Sequence, residues 1–480
     1  VEGTGKSTIV RELVSKHAQT LPKPDDWCLV NNFKDHFRPQ AIAVPSGKAM
    51  PFSKKMNKFV EDLKKDLPKA FEGEGYLKRL SGIKSRFADK QNRLFQKIDK
   101  SAARNNLQIV KSGQEIETVP VIDGTPLTAE DYNKLPSDKK AAIEASIRRI
   151  QEQIELASVE IDKLNQALHL DVEKLMDEVT LAVVKNRLEK IRSEFKDSPG
   201  ILGHLEKIEQ DIVDNVQYFM PSDEGESKEN GIFRLPPNSN LQRYQVNALT
   251  DREPAKGAPV IFETNPTYHN VMGRIEKRAY MGTVTTDFTM VKAGSLLNAN
   301  GGFLIMDMES LMMNPYVWEA LKRALQAKYL QIEDIAEEAG FGTVSLRPAP
   351  IPLEVKVILL GNYDDFEVLQ NYDHRFNKIF KVRADFDYEV EKSADTVQQY
   401  ARFIARVCNE ENLLPFTPKG VATIVEYGEK YVSDKNKLSI RFGPLLGVLK
   451  EADYWARKNK ARLITDKYVV KAFNEYRFRY

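Results

Sequence analysis

Two cysteines in 480 residues, Cys28 and Cys408, form no Cys-x-x-Cys and no Cys/His cluster, which excludes a disulfide framework and a structural zinc site. No apolar run approaches the roughly 20 residues that a bilayer-spanning helix needs. Charge of one sign is missing too. Lys and Arg number 71 against 69 Asp and Glu, a net charge of +2, so there is neither the basic field of a dedicated nucleic-acid binder nor an acidic tail. The six histidines, at 17, 36, 169, 204, 269 and 374, stand singly and read as structural or surface residues. No Ser-His-Asp grouping, G-x-S-x-G or H-E-x-x-H is present. What these absences leave is a charge-rich chain, 42% hydrophobic and 29% charged, expected in the cytoplasm and long enough for roughly three domains.

What is there begins at once. Gly3-Thr4-Gly5-Lys6-Ser7-Thr8 is the back half of a G-x-x-x-x-G-K-[ST] loop, running into the apolar-periodic Ile9, Val10, Leu13 and Val14. The glycines let successive backbone N–H groups point at phosphates. Lys6 reaches the β/γ oxygens, and the Ser7 hydroxyl holds Mg²⁺ at the positive end of a helix expected over 5–18. ATP and Mg²⁺ are the expected cofactors. Since such a loop follows a buried strand, the natural protein is expected to extend further at its N-terminus.

A short buried strand is expected at 27–33, as part of a β-loop-α-β start. The next α/β pieces come after residue 240, so the intervening segment reads as an insertion. Within it Ile143, Ile147, Ile150, Ile154, Ala157, Ile161, Leu164 and Leu168 alternate steps of four and three, a spacing of about 3.5 that specifies a coiled-coil seam. Leu80, Ile83, Phe87, Leu94 and Ile98 supply a partner arm, and 107–110 with 115–121 read as a β-hairpin at the tip. Strand character resumes at 243–248 and 260–263. It is followed by Phe303-Leu304-Ile305-Met306-Asp307, an amphipathic helix at 316–327 and a strand at 355–360, which together predict a doubly wound parallel sheet. From about 393 the pattern is helical throughout, with segments near 393–409, 417–432, 440–459 and 465–477. The expected divisions are 1–65 and 236–390 for the α/β domain, 66–235 for the arm and 391–480 for a helical lid.

Four apolar residues ending in Asp307 place a carboxylate at the sheet's C-terminal edge, where it can hold Mg²⁺ beside the γ-phosphate. The glutamate that usually follows is Met308 here, with Glu309 one place on as the candidate to polarise water. Glu309 can fill that position only if the strand has already ended at Asp307. Asn362, at the end of the 355–360 strand, can hydrogen-bond the γ-phosphate or the lytic water. Arg375, ahead of a short strand expected at 380–382, is placed as an arginine finger for a neighbouring subunit, and Arg441 as a nucleotide sensor on the lid.

The order Lys6, Asp307, Asn362, Arg375, Arg441 is the plan of AAA+ ATPases. The chain resembles the ATPase module of a Lon-like, ATP-dependent protease, of the bacterial group with a long helical insertion after the phosphate loop. The resemblance rests on Val30-Asn31-Asn32-Phe33, Asn265-Pro266-Thr267-Tyr268, Gly273-Arg274-Ile275-Glu276, Ala299-Asn300-Gly301-Gly302-Phe303-Leu304, the segment Trp318-Glu319-Ala320-Leu321-Lys322-Arg323-Ala324-Leu325, and Ala452-Asp453-Tyr454-Trp455-Ala456-Arg457. It implies an AAA+ α/β domain with an inserted antiparallel coiled-coil arm and a C-terminal helical lid. It also implies a six-membered ring acting on polypeptide substrates, a pore loop at Tyr280, Met281 and Gly282, and a Ser/Lys protease domain beyond Tyr480. The excursion at 337–342 resembles a second hairpin facing the pore. Two alternatives stay open at this point: a coiled-coil chromosome-organising ATPase, against which the missing L-S-G-G-Q signature counts, and a nucleotide-binding scaffold that does not hydrolyse, which Met308 favours.

Overall fold

The computed structural model describes residues 5–112, 115–122, 125–127, 136–221, 239–253, 256–280, 283–334 and 346–479. Two compact units emerge, Lys54–Gln245 and Val1–Ser53 with Val246–Tyr480. Among the described residues no helix is long and apolar enough to cross a membrane.

In the first unit the helix Ser137–Glu194 runs for 58 residues, about 87 Å at 1.5 Å per residue. The helix Glu74–Arg104 lies antiparallel to it: Arg79 pairs with Glu178 (2.6 Å), Arg86 with Asp171 (2.5 Å) and Gln91 with Asn165 (2.7 Å), so one number rises as the other falls. Every position of the 143–168 seam is buried or half-buried, whereas Leu156 and Val159 beside it are 72% and 54% exposed. Ile98, Ala102, Leu107, Ile150 and Ala157 close one end of the seam into a small core. The strands Leu107–Ser112 and Glu115–Ile122 form the expected hairpin.

The helix Pro199–Asp214 buries Ile201, Leu205, Ile208, Ile212 and His204. Burial, helped by Lys207, pushes the His204 imidazole down to about 3. An unfolded histidine titrates near 6.5, so between these values only the unfolded chain takes up the proton, and stability falls with pH by up to ~1.4 kcal/mol per unit. The helical signal of the unit is therefore expected to melt at lower temperature at pH 5 than at pH 7. His204→Leu should flatten that difference, and an unchanged pH slope would place the acid sensitivity elsewhere.

In the second unit Val260–Glu263, Phe303–Asp307 and Lys356–Leu360 form a parallel sheet with Phe303–Asp307 in the centre, its Phe303 opposite Lys356 and its Asp307 opposite Leu360. Successive residues of the central strand face opposite sides. Phe303 packs with Ala18 and Val14 of the helix Lys6–Ala18, and Leu304 and Met306 join the core that holds Trp318 and Leu321 of the helix Pro315–Ala327. The sheet thus carries a helix on each face. Ile9 and Leu13 of the first helix are exposed, while Val14 and Ala18 make its apolar contacts.

Four expectations need correction. The strand near 27–33 is Asp26–Val30, and it lies outside the parallel sheet, pairing antiparallel with Gln40–Val44 and Val246–Ala248. A nine-residue connection is too short for a parallel crossover, so the next strand returns beside it. Residues 239–244 form a 3₁₀ turn, and only Val246–Ala248 is extended. Residues 380–382 are in no strand. The C-terminal helices Ala394–Glu410, Pro418–Val432, Phe442–Lys458 and Asp466–Arg479 match the predicted segments, but Glu389–Glu391 pairs with Lys437–Ser439 among them, so the region is not helical throughout.

Candidate functional site

Gly5 precedes the helix Lys6–Ala18 in the left-handed region (φ 74°), which disfavours any side chain there. The helix has no side-chain cap and no acidic residue in its first turn, and Ser7 and Thr8 are exposed. Uncapped amides at the positive end of a helix suit an anion. Lys6 is half-buried and its Nζ donates to the Gly361 carbonyl oxygen (2.5 Å), 355 residues away in the chain. The lysine is thereby fixed at the C-terminal edge of the parallel sheet.

Asp307 sits at that same edge. Its Oδ2 accepts from Ser310 N (2.9 Å) and Ser310 Oγ (2.8 Å), capping the short helix Met308–Met312. The strand has therefore ended at Asp307. Met308 turns inward, 5% exposed, and Glu309 turns outward. Met308 packs so closely against Gly361 that a Cβ there would lie 3.0 Å from its Cβ and Sδ, so a side chain at 361 would make Met308 give way by a few tenths of an ångström.

Asn362 begins the helix Tyr363–Tyr372. Its Oδ1 accepts from Asp365 N (2.8 Å), and its own N–H donates to Asp365 Oδ2 (3.2 Å), a reciprocal capping box. Cap formation occupies the side-chain oxygen and leaves the amide NH₂ as the polar group with which Asn362 can meet a ligand.

Arg375 is exposed, and its backbone N–H donates to Asp373 Oδ1 (2.9 Å). The other carboxylate oxygen accepts from Trp318 Nε1 (2.7 Å) and Lys322 Nζ (2.6 Å), with Lys322 only 3% exposed. Burial works to raise the Asp373 carboxyl, but hydrogen bonds from Lys322, the Arg375 N–H and Trp318 outweigh it and hold it below the usual range. Burial likewise works to lower Lys322, and its bonds to Asp373 and Glu319 outweigh that and hold it high. Sequence reasoning passed over this group. Its local signal was an aromatic and a cation spaced i, i+4 on one helix, ahead of the Asp373-His374-Arg375 turn.

Arg441 precedes the helix Phe442–Lys458, its backbone N–H on Ser439 Oγ (3.2 Å) and its guanidinium 5.2 Å from the Tyr388 ring centre. Lys6, Asp307 and Asn362 are thus brought to one edge. Among the described residues neither Arg375 nor Arg441 bonds to any of the three. Tyr280 ends the strand Arg278–Tyr280, paired antiparallel with Thr283–Thr285, Tyr280 opposite Thr283. Gly3, Thr4, Met281, Gly282 and the 337–342 excursion lie outside the described residues.

The site suits a nucleoside triphosphate: a lysine, uncapped helix amides, and the hydroxyl and carboxylate oxygens of Ser7 and Asp307, hard donors of the kind Mg²⁺ takes alongside phosphates.

Residues 256–387 match the family model of the LonB-like AAA domain, 415–479 that of the archaeal LonB AAA+ ATPase LID domain, and 26–59 that of the Lon-like LonC helical domain. Among curated proteins the chain is similar to the archaeal Lon protease of Thermoplasma acidophilum, 23% identical over 248 residues that cover 50% of this chain and 36% of the relative. The archaeal Lon proteases of Thermoplasma volcanium (25% over 198 residues, 40% and 29%) and Halobacterium salinarum (24% over 177 residues, 37% and 25%) are also similar. The chain thus spans about a third or less of the length of these relatives. The phosphate-loop lysine, the strand-edge aspartate and these family matches together support an AAA+ module of a Lon-like protease.

Proposed function

We propose that this module is an ATP-driven unfoldase and translocase, which threads polypeptide toward a C-terminal Ser/Lys protease domain lying outside the chain. The observation that carries the reading is the contact of Lys6 Nζ with the Gly361 carbonyl, because it sets the loop lysine at the sheet edge shared by Asp307 and Asn362. Lys6 with the backbone of Gly3, Thr4 and Gly5 binds the phosphates, Thr8 flanks them, and Ser7 and Asp307 hold Mg²⁺. Asn362 orients the γ-phosphate or the attacking water, and Glu309, exposed two residues past Asp307, is the candidate carboxylate to polarise that water. Hydrolysis of the bound ATP supplies the energy.

Arg375, exposed at its turn, serves the site of the neighbouring subunit in a ring of six, and Arg441 reports nucleotide from the helical lid. The paired helices of 66–235 act as a coiled-coil arm inserted between the α/β segments 1–65 and 236–390, and 391–480 forms the lid. A cytoplasmic setting is consistent with two cysteines, Cys28 and Cys408, that are both unpaired. The buried Met308 in place of the usual acid keeps a nucleotide-gated scaffold as a second reading.

Tyr280, Met281 and Gly282 are assigned to the substrate-gripping pore loop. Tyr280→Ala in the full-length protein is expected to leave ATP turnover within about twofold of the parent and to abolish unfolding of a tagged substrate, since an aromatic grip adds force transmission and no chemistry. Unfolding at the parent rate would remove Tyr280 from the pore.

A further inference from the structure

We infer that Asp373, clamped by Lys322 and Trp318, is the positioning residue that holds Arg375 in register for the neighbouring active site. The inference rests on the proposed role of Arg375 and adds to it the means by which an exposed arginine is aimed.

An arginine at a surface turn ordinarily samples many backbone and side-chain states, and each must be lost before it can meet a phosphate oxygen. Here the backbone of that turn is pinned. Asp373 Oδ1 takes the Arg375 N–H, and Oδ2 takes two donors from a single helix, Pro315–Ala327. Downstream, the same helix holds the chain again: the Trp318 ring stacks on Phe380 (5.8 Å between centres, 17° between planes) and lies 6.3 Å from Phe376, which is 2% exposed. The turn carrying Arg375 is therefore fastened on both sides to one rigid element. That helix follows Met308–Met312 after two residues, and Asp307 caps Met308–Met312. Arg375 is thus registered against the strand edge that carries the Mg²⁺ carboxylate.

Stability alone explains the clamp poorly. Burying a lysine ammonium against a carboxylate pays a desolvation cost that apolar residues of similar volume avoid, so such a pair is weak evidence of stabilisation. What apolar residues cannot supply is a directional acceptor for the Arg375 N–H.

The test compares kcat and KM for ATP in the full-length protein and in Asp373→Ala, Asp373→Asn, Lys322→Met, Trp318→Phe, Arg375→Ala and the Asp373→Ala/Arg375→Ala double variant, with the melting temperature of each. A misplaced arginine forfeits part of the 10³- to 10⁵-fold that an arginine finger contributes, so Asp373→Ala and Lys322→Met are expected to lose about 10- to 100-fold in kcat with KM within about twofold. Asp373→Asn, which keeps an acceptor for the Arg375 N–H, should recover part of the loss. The double variant should be no slower than Arg375→Ala, because Asp373 acts only through Arg375. Should Asp373→Ala fail to fold, Trp318→Phe removes one donor from the clamp and is expected to lower kcat several-fold without raising KM. If Arg375→Ala collapses turnover while the clamp variants do not, or if the losses multiply in the double variant, the positioning role is wrong. Turnover unaffected by Arg375→Ala would instead overturn the finger reading on which it rests.

Discussion

Lys6→Ala is expected to weaken ATP binding by at least about 100-fold and to remove turnover, the loss anticipated when a charge-assisted contact to phosphate disappears. Lys6 is half-buried and donates to the Gly361 carbonyl, so its ammonium is held at the strand edge. Truncation removes that charge and leaves the backbone amides of the loop and of the helix start as the remaining phosphate contacts. Isothermal titration with ATP and Mg²⁺ reads the effect. Binding within about threefold of the parent would move the nucleotide away from this loop.

The second large effect is on stability. Arg252 and Asp26 are 4% and 0% exposed and form a buried pair. Arg252 Nη1 donates to Asp26 Oδ1 (3.1 Å), Thr250 Oγ1 (2.9 Å) and the Asp25 carbonyl (2.9 Å), and Nη2 donates to the Asn300 carbonyl (2.9 Å). Asp26 Oδ2 accepts from Gly47 N (2.7 Å). The group ties the antiparallel sheet to the turn that leads into the Asp307 strand. Arg252→Ala strands a carboxylate in the core and is expected to cost about 3–5 kcal/mol. Asp26→Leu/Arg252→Met, which removes both charges at similar volume, should be more stable than either single variant. Urea unfolding measures both. A loss below about 1 kcal/mol for Arg252→Ala would mean that Asp26 finds water or another partner.

Much of this architecture is local in origin and could be read from the chain. Four apolar residues ending in Asp307 gave the central strand, the 4-3-4-3 spacing gave the seam from 143 to 168, and the apolar periodicity of 316–327 gave the helix that carries Trp318 and Lys322. The loop Gly5-Lys6-Ser7 announces its own chemistry, because a positive-φ glycine and a lysine opening a helix are local features. What stayed hidden depends on partners remote in sequence. Val246–Ala248 pairs with Asp26–Val30 across more than 200 residues, so nothing local marks Val246–Ala248 as a member of the antiparallel sheet. Residues 380–382 read as a strand for their apolar and β-branched content, but Phe380 spends its ring stacking on Trp318, and among the described residues no strand pairs with them. The Arg252–Asp26 pair and the Asp373 clamp are likewise visible only once the chain is folded.

The central claim is an ATPase whose active site is completed by a neighbouring subunit. The most direct test is steady-state ATP hydrolysis by the full-length protein across a range of protein concentrations, beside Lys6→Ala and Arg375→Ala. The account predicts specific turnover that rises cooperatively with concentration and collapses in both variants, with Arg375→Ala retaining ATP binding. Specific turnover independent of concentration and indifferent to Arg375, or tight ATP binding with no turnover at any concentration, would contradict it.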